Sequence, residues 1–158
     1  MASGSTVVPQ TEDLMSWNIG DHGFQMTLSA HVPDVIQGSL RGWLEGWLAS
    51  EGTDLDQIAH WGVHPGGPRI LQACIDALQL EPGEIQTSRD VLAEFGNMSS
   101  PTILFIVERL IRNKTPGPCV LLAFGPGLTI EAALVEPFIR SSSGKPRHER
   151  VSLGFQPA

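Results

Sequence analysis

The sequence predicts an α/β fold, a mixed β-sheet covered by α-helices, and three observations lead there. Short apolar runs with two-residue alternation trade places with longer runs of helical period, in the order β-β-α-β-α-α-α-β-β. The 158 residues are enough for one domain with its own core and cramped for two. At 41% hydrophobic and 17% charged, with 17 Gly and 12 Pro, the composition is globular rather than disordered or low-complexity.

Residues 1–10 are small and polar and read as a ragged start. Residues 15–19 and 24–29 are apolar-alternating runs around Gly20-Asp21-His22-Gly23, the signal of a hairpin with a loop of about four residues. Val32-Pro33-Asp34 opens a helix, with Asp34 as its expected N-cap. Ile36, Leu40, Trp43, Leu44, Trp47 and Leu48 form its buried stripe, and Gly38, Gly42 and Gly46 a second line. Each glycine costs a helix roughly 1 kcal/mol. Three in register therefore point either to another backbone in close approach or to a poorly formed helix.

Residues 58–63 read as a strand and His64-Pro65-Gly66-Gly67-Pro68 as a sharp turn, with Pro68 suited to the first turn of a helix. Ile70, Leu71, Cys74, Ile75 and Leu78 give that helix its apolar face, and Glu81-Pro82-Gly83 stops it. A helix over 88–95 ends at Gly96-Asn97, and Ser100-Pro101, an N-cap followed by an N1 proline, starts another. That last helix carries an unbroken apolar row over 103–107, then Leu110 and Ile111, so burial on most sides is expected. Strands over 120–124 and 128–135 are joined by Gly125-Pro126-Gly127. One domain is expected over 11–140, followed by a polar, partly basic tail over 141–158.

Against 17 acidic side chains stand only 10 basic ones, with no basic block, which argues against a nucleic-acid surface. The longest apolar stretches are far too short to span a bilayer. The start lacks the basic and apolar regions of a secretory signal, so a cytoplasmic location is expected. Cys74 and Cys119 lie inside apolar runs, and a pair of buried free thiols is favoured over a disulfide between them. With no CxxC pair and no HExxH, no metal site is expected.

Three turns could carry chemistry. His64 stands at the carboxyl end of a strand beside a helix N-terminus, where open α/β sheets place ligands and an imidazole can donate a proton or hydrogen bond. Gly96-Asn97-Met98-Ser99-Ser100 turns sharply around an amide side chain, and Phe124-Gly125-Pro126-Gly127-Leu128 is a tight bend between strands. Singly they are weak: a histidine beside a glycine turn is often structural, and a turn asparagine usually bonds its own backbone.

Together and in order they are specific. His64-Pro65-Gly66-Gly67-Pro68-Arg69-Ile70-Leu71, Gly96-Asn97-Met98-Ser99-Ser100-Pro101-Thr102 and Phe124-Gly125-Pro126-Gly127-Leu128-Thr129-Ile130-Glu131 closely resemble the C-terminal half of type III polyketide synthases, the chalcone and stilbene synthase family. The likeness runs from about Thr11 to Val135. Ketoacyl synthases share the histidine and asparagine but usually carry a different turn, so a ketoacyl synthase III-like half is the further alternative.

The resemblance implies a thiolase-like half in α-β-α layers, paired with a second half that carries a catalytic cysteine. His64 then matches the family's catalytic histidine and Asn97 its asparagine, while neither Cys74 nor Cys119 sits in the nucleophile's setting. Gly125, Pro126 and Gly127 match the loop that shapes the cyclisation pocket, with Ser99 on the same wall. Gly66, Gly67 and Arg69 match the border of the coenzyme A tunnel. Met26 falls where plant enzymes have a gatekeeper phenylalanine, and Trp17 where they have a small residue, which favours a bacterial-type enzyme. Acyl- and malonyl-coenzyme A are the implied substrates, with no separate cofactor, and the complete enzyme is a homodimer.

Three functions follow for comparison. The chain is half of an acyltransferase that works with a Cys-bearing N-terminal half, or a non-catalytic remnant or interaction module that keeps the fold. A self-sufficient enzyme using Cys74 or Cys119 is the third.

Overall fold

In the computed structural model, which describes residues 1–114 and 116–136, four of six strands form one sheet. The elements are β1 (Ala2–Val7), β2 (Met15–Gly20), β3 (Gly23–Leu28), α1 (Val32–Ser50), β4 (His60–Val63), α2 (Pro68–Leu78), α3 (Gln86–Phe95), α4 (Pro101–Arg112), β5 (Cys119–Gly125) and β6 (Thr129–Val135). The sheet order is β1-β6-β5-β4, with β4 parallel to β5 and the other pairs antiparallel. The sheet is therefore mixed, as expected. Strands β2 and β3 form a separate hairpin.

Alternation along β5 builds the layers, because successive strand side chains point to opposite faces. Val120 and Leu122 enter a core shared with α1 and α2, whereas Cys119 and Leu121 meet Val91, Ile106 and Leu110 from α3 and α4. Helix α1 buries Val32, Ile36, Leu40, Leu44 and Leu48 completely, a run at four-residue spacing along one face. On the other side, a Cβ at Gly62 would stand 2.6 Å from Leu121 Cδ2 and 3.2 Å from Ile106 Cγ2. Glycine there lets α4 lie close against β4.

Several expectations need correcting. The ragged start, 1–10, contains β1, which pairs with β6 from Ala2 opposite Leu134 to Val7 opposite Thr129. Within it, the Trp47 ring lies directly over Gly4, leaving no room for a side chain there. Asp34 is not the N-cap; His31 is, and Asp34 lies in the first turn, 3.5 Å from the His31 ring. The hairpin loop is only Asp21-His22, since Gly20 pairs with Gly23. A 3₁₀ turn, Leu55–Gln57, shortens the strand predicted over 58–63.

The glycine line meets no other backbone among the described residues: nothing there lies within 4 Å of a Cβ at Gly38, Gly42 or Gly46. Helix α4 is buried on one face only, through Thr102, Ile106 and Leu110, while Leu104 is 66% exposed and Phe105 41%. Cys74 and Cys119 are free and fall in cores on opposite faces of the sheet. The polar tail lies outside the described residues.

Candidate active site

Strand β4 delivers His64. The His64 N–H donates to the Leu122 carbonyl at 2.7 Å, continuing the parallel ladder one residue past the strand. On the open edge of β4, the Val63 N–H donates to the fully buried Ser88 Oγ at 2.9 Å, so α3 closes that edge. The chain then turns at once, with the Gly66 N–H donating to the His64 carbonyl at 3.0 Å. His64 is half-buried, and burial holds its pKa below the usual 6.5.

Asn97 arrives from the end of α3, where Gly96 breaks the helix at φ 71. Its Oδ1 accepts the Ser99 N–H at 2.8 Å, and its Nδ2 donates to the Gly66 carbonyl at 3.3 Å. An N–H can bond only the oxygen end of an amide, so the two bonds together fix which way the side chain points. The donor end faces the His64 turn.

His64 and Asn97 line one cavity of about 500 Å³, together with Trp17, Met26, Ser99, Gly66, Gly125 and Pro126. Sequence reasoning missed Met15, Leu28 and Ile103 on its wall, whereas Phe124 belongs to the bend it singled out. Two of these were open to detection from the hairpin register: Met15 is paired with Leu28 and Trp17 with Met26, all on one apolar face. Gly67 and Arg69 lie outside the lining, the first as N-cap of α2 and the second exposed on its first turn. Gly127 also lies outside it and acts as an anchor. Its N–H donates to the Met15 carbonyl at 2.8 Å and its carbonyl accepts from the buried Thr11 Oγ1 at 2.9 Å, which ties the hairpin to the β5–β6 bend.

Residues 1–138 match the family described as chalcone and stilbene synthases, C-terminal domain. This chain belongs to that family. A 1,3,6,8-tetrahydroxynaphthalene synthase from Streptomyces peucetius subsp. caesius is 40% identical over 137 residues, covering 85% of this chain and 36% of the relative. The alpha-pyrone synthesis polyketide synthase-like Pks18 of Mycobacterium tuberculosis is 31% identical over 139 residues, covering 85% and 35%. Among solved structures, the 1,3,6,8-tetrahydroxynaphthalene synthase of Streptomyces coelicolor A3(2) superposes with a TM-score of 0.80 at 30% identity, over 88% of this chain and 40% of that one. PKS-I of the brown alga Ectocarpus siliculosus gives 0.81 at 28% identity, over 85% and 38%.

The chain thus spans about a third of the length of the curated relatives it matches. It is a C-terminal domain of the chalcone and stilbene synthase type, with the thiolase-like fold of type III polyketide synthases. The family match includes the stretch read as a ragged start. Among the described residues, no helix is long and apolar enough to cross a membrane, and no group of three or more His, Cys, Asp or Glu could hold a metal ion.

Proposed function

We propose that this domain supplies the electrostatic half of a decarboxylative condensation of malonyl-coenzyme A onto an acyl thioester. When the malonyl group loses carbon dioxide, the electron pair of the broken C–C bond moves onto the thioester oxygen. His64 and Asn97 donate to that oxygen. The enolate carbon then attacks an acyl group held on a cysteine of the N-terminal half, forming a C–C bond and releasing the thiolate. A single preorganised oxyanion donor is worth roughly 3–4 kcal/mol of barrier.

The observation that carries this reading is the oriented Asn97 amide, whose donor end faces the His64 turn across a shared cavity. The lowered pKa leaves the imidazole neutral at neutral pH, so one ring nitrogen carries the N–H to be donated. A neighbouring thiolate would pull the other way and favour the imidazolium that stabilises it.

Neither cysteine of this chain fits the nucleophile's task. Burial pushes both thiols up to about 12, so almost none is thiolate at neutral pH. Coenzyme A thioesters serve as substrates and no cofactor enters. Trp17, Met26, Ser99, Gly125 and Pro126 shape the product cavity, with Gly127 holding its hairpin wall, and Gly66, Gly67 and Arg69 border the coenzyme A path. The complete enzyme acts as a cytoplasmic homodimer.

The test is radiolabelled malonyl-coenzyme A plus an acyl-coenzyme A, with the chain alone and with a separately produced Cys-bearing half. Lengthened product should form only in the mixture and disappear with Asn97→Ala. Product from the chain alone overturns the division of labour.

A further inference from the structure

We propose that Thr102 is the positioning residue of the Asn97 amide; the inference rests on reading Asn97 as an oxyanion donor. The start of α4 is unusual. Ser100 occupies the N-cap but makes no side-chain cap bond, and Pro101 at the first helical position has no N–H to offer. Thr102, the second helical residue, is completely buried and bonds back out of the helix. Its Oγ1 accepts the Met98 N–H at 2.9 Å, and its own N–H donates to the Ser99 carbonyl at 3.0 Å.

These bonds close a circuit around Asn97. Ser99 sits in the left-handed region at φ 63, where a residue with a Cβ is uncommon. Two bonds hold it there: its N–H goes to Asn97 Oδ1 and its carbonyl receives Thr102. Met98, between the two, is tied to the buried hydroxyl. With Oδ1 occupied by Ser99, only Nδ2 is left to face the cavity and the Gly66 carbonyl. Without the hydroxyl, the part-buried Met98 N–H loses its partner, and the turn that fixes the amide loses one of its ties.

The test is performed on the chain itself by ¹⁵N NMR, with three forms: wild type, Thr102→Val of nearly the same shape, and Thr102→Ser, which keeps the hydroxyl. In the wild type, the Met98 amide should be protected from exchange and the Asn97 side-chain amide should show contacts to Gly66. In Thr102→Val, Met98 exchange should speed up roughly tenfold or more and the Asn97–Gly66 contacts should vanish. Amides of β5 and β6 should keep their protection. Thr102→Ser should restore both signals.

Retained Asn97 contacts in Thr102→Val overturn the proposal, as does a Thr102→Ser form that stays loose. If Thr102→Val does not fold, the wild type decides: a Met98 amide exchanging at the rate of an open loop overturns it. With the Cys-bearing half added, Thr102→Val should lower kcat tenfold or more while KM for malonyl-coenzyme A changes less than twofold. Full activity of Asn97→Ala in that mixture would sink the oxyanion reading yet leave the NMR result standing, so the two failures are distinct.

Discussion

Replacing Gly4 by alanine tests why the small residues at the start of the chain form a strand. A Cβ at Gly4 would stand 2.6 Å from Trp47 Nε1 and 2.8 Å from both Cδ1 and Cε2. Ordinary contact lies at about 3.5–4.0 Å, so the methyl overlaps the indole by about 1 Å. The half-buried ring also lies parallel to the Trp43 ring, with centroids 6.1 Å apart and planes 6° from parallel. Overpacking of this kind costs about 1–3 kcal/mol, and alanine's smaller entropy loss in a strand returns about 0.5–1 kcal/mol. The net loss should be about 1–2 kcal/mol, or about 2–8 °C in Tm for a domain of this size. Urea and thermal titrations followed by tryptophan emission measure it. All three clashing atoms belong to the five-membered part of the indole nearest Cβ, where a phenylalanine ring would also lie, so Trp47→Ala is the change that removes the obstacle, together with a buried Nε1 that has no hydrogen-bond partner among the described residues. Gly4→Ala/Trp47→Ala should therefore be more stable than the two single effects added together. Wild-type stability of Gly4→Ala, or plain additivity in the double variant, refutes the packing argument.

Four further outcomes are expected. The isolated chain should dimerise or aggregate, since Trp17, Ile19, Met26, Leu28, Leu104, Phe105 and Ile111 are all exposed; a monodisperse monomer at high concentration in light scattering contradicts this. Gly42→Ala should stabilise the isolated chain by about 0.5–1 kcal/mol, because the site is open, and a loss of stability would reveal an unseen neighbour. His64 should make stability fall on acidification. Its folded pKa lies below 6.5, so the unfolded chain binds the proton first, and the loss accrues as pH drops from 6.5 to the folded value. In His64→Gln that part of the pH profile should be flatter in denaturant titrations, and an unchanged slope would count against burial of the ring. Finally, Cys74 and Cys119 should resist iodoacetamide at pH 8 in the folded chain, and rapid alkylation there would contradict their burial.

What the sequence reveals and what it hides follow from where the stabilising contacts lie. The turns at His64, Asn97 and Gly125-Pro126-Gly127 are legible because sharp backbone geometry demands particular residues on the spot. The α1 stripe and the β5–β6 pair are legible because burial imposes a period. Strand β1 is hidden: Ala-Ser-Gly-Ser-Thr-Val has no apolar alternation, and it becomes a strand through β6 and Trp47, both far along the chain. Gly38, Gly42 and Gly46, like the apolar row of α4, signal a need for close neighbours without saying whether this chain supplies them. The described residues do not. Thr102 escapes notice because Ser100-Pro101 satisfies the usual capping signature, and only geometry shows that Ser100 makes no cap bond while the Thr102 hydroxyl accepts the Met98 N–H.

The position of β5 in the sheet has a consequence for vectorial synthesis. Among the described residues, β4 has β5 as its one strand neighbour in the sheet, and β1 has β6. A nascent chain that has just emerged through α4 therefore holds His64, Asn97 and the Ser88 bond to β4, but lacks the strand that pairs with β4 and the cavity floor at Ala123–Pro126. Pairings such as Ser5 with Glu131, 126 residues apart, close the sheet only after β6 leaves the ribosome. Until then the chain exposes an unpaired strand edge, the state most prone to aggregation during synthesis. The cavity gains its floor only once β5 and the bend after it are in place.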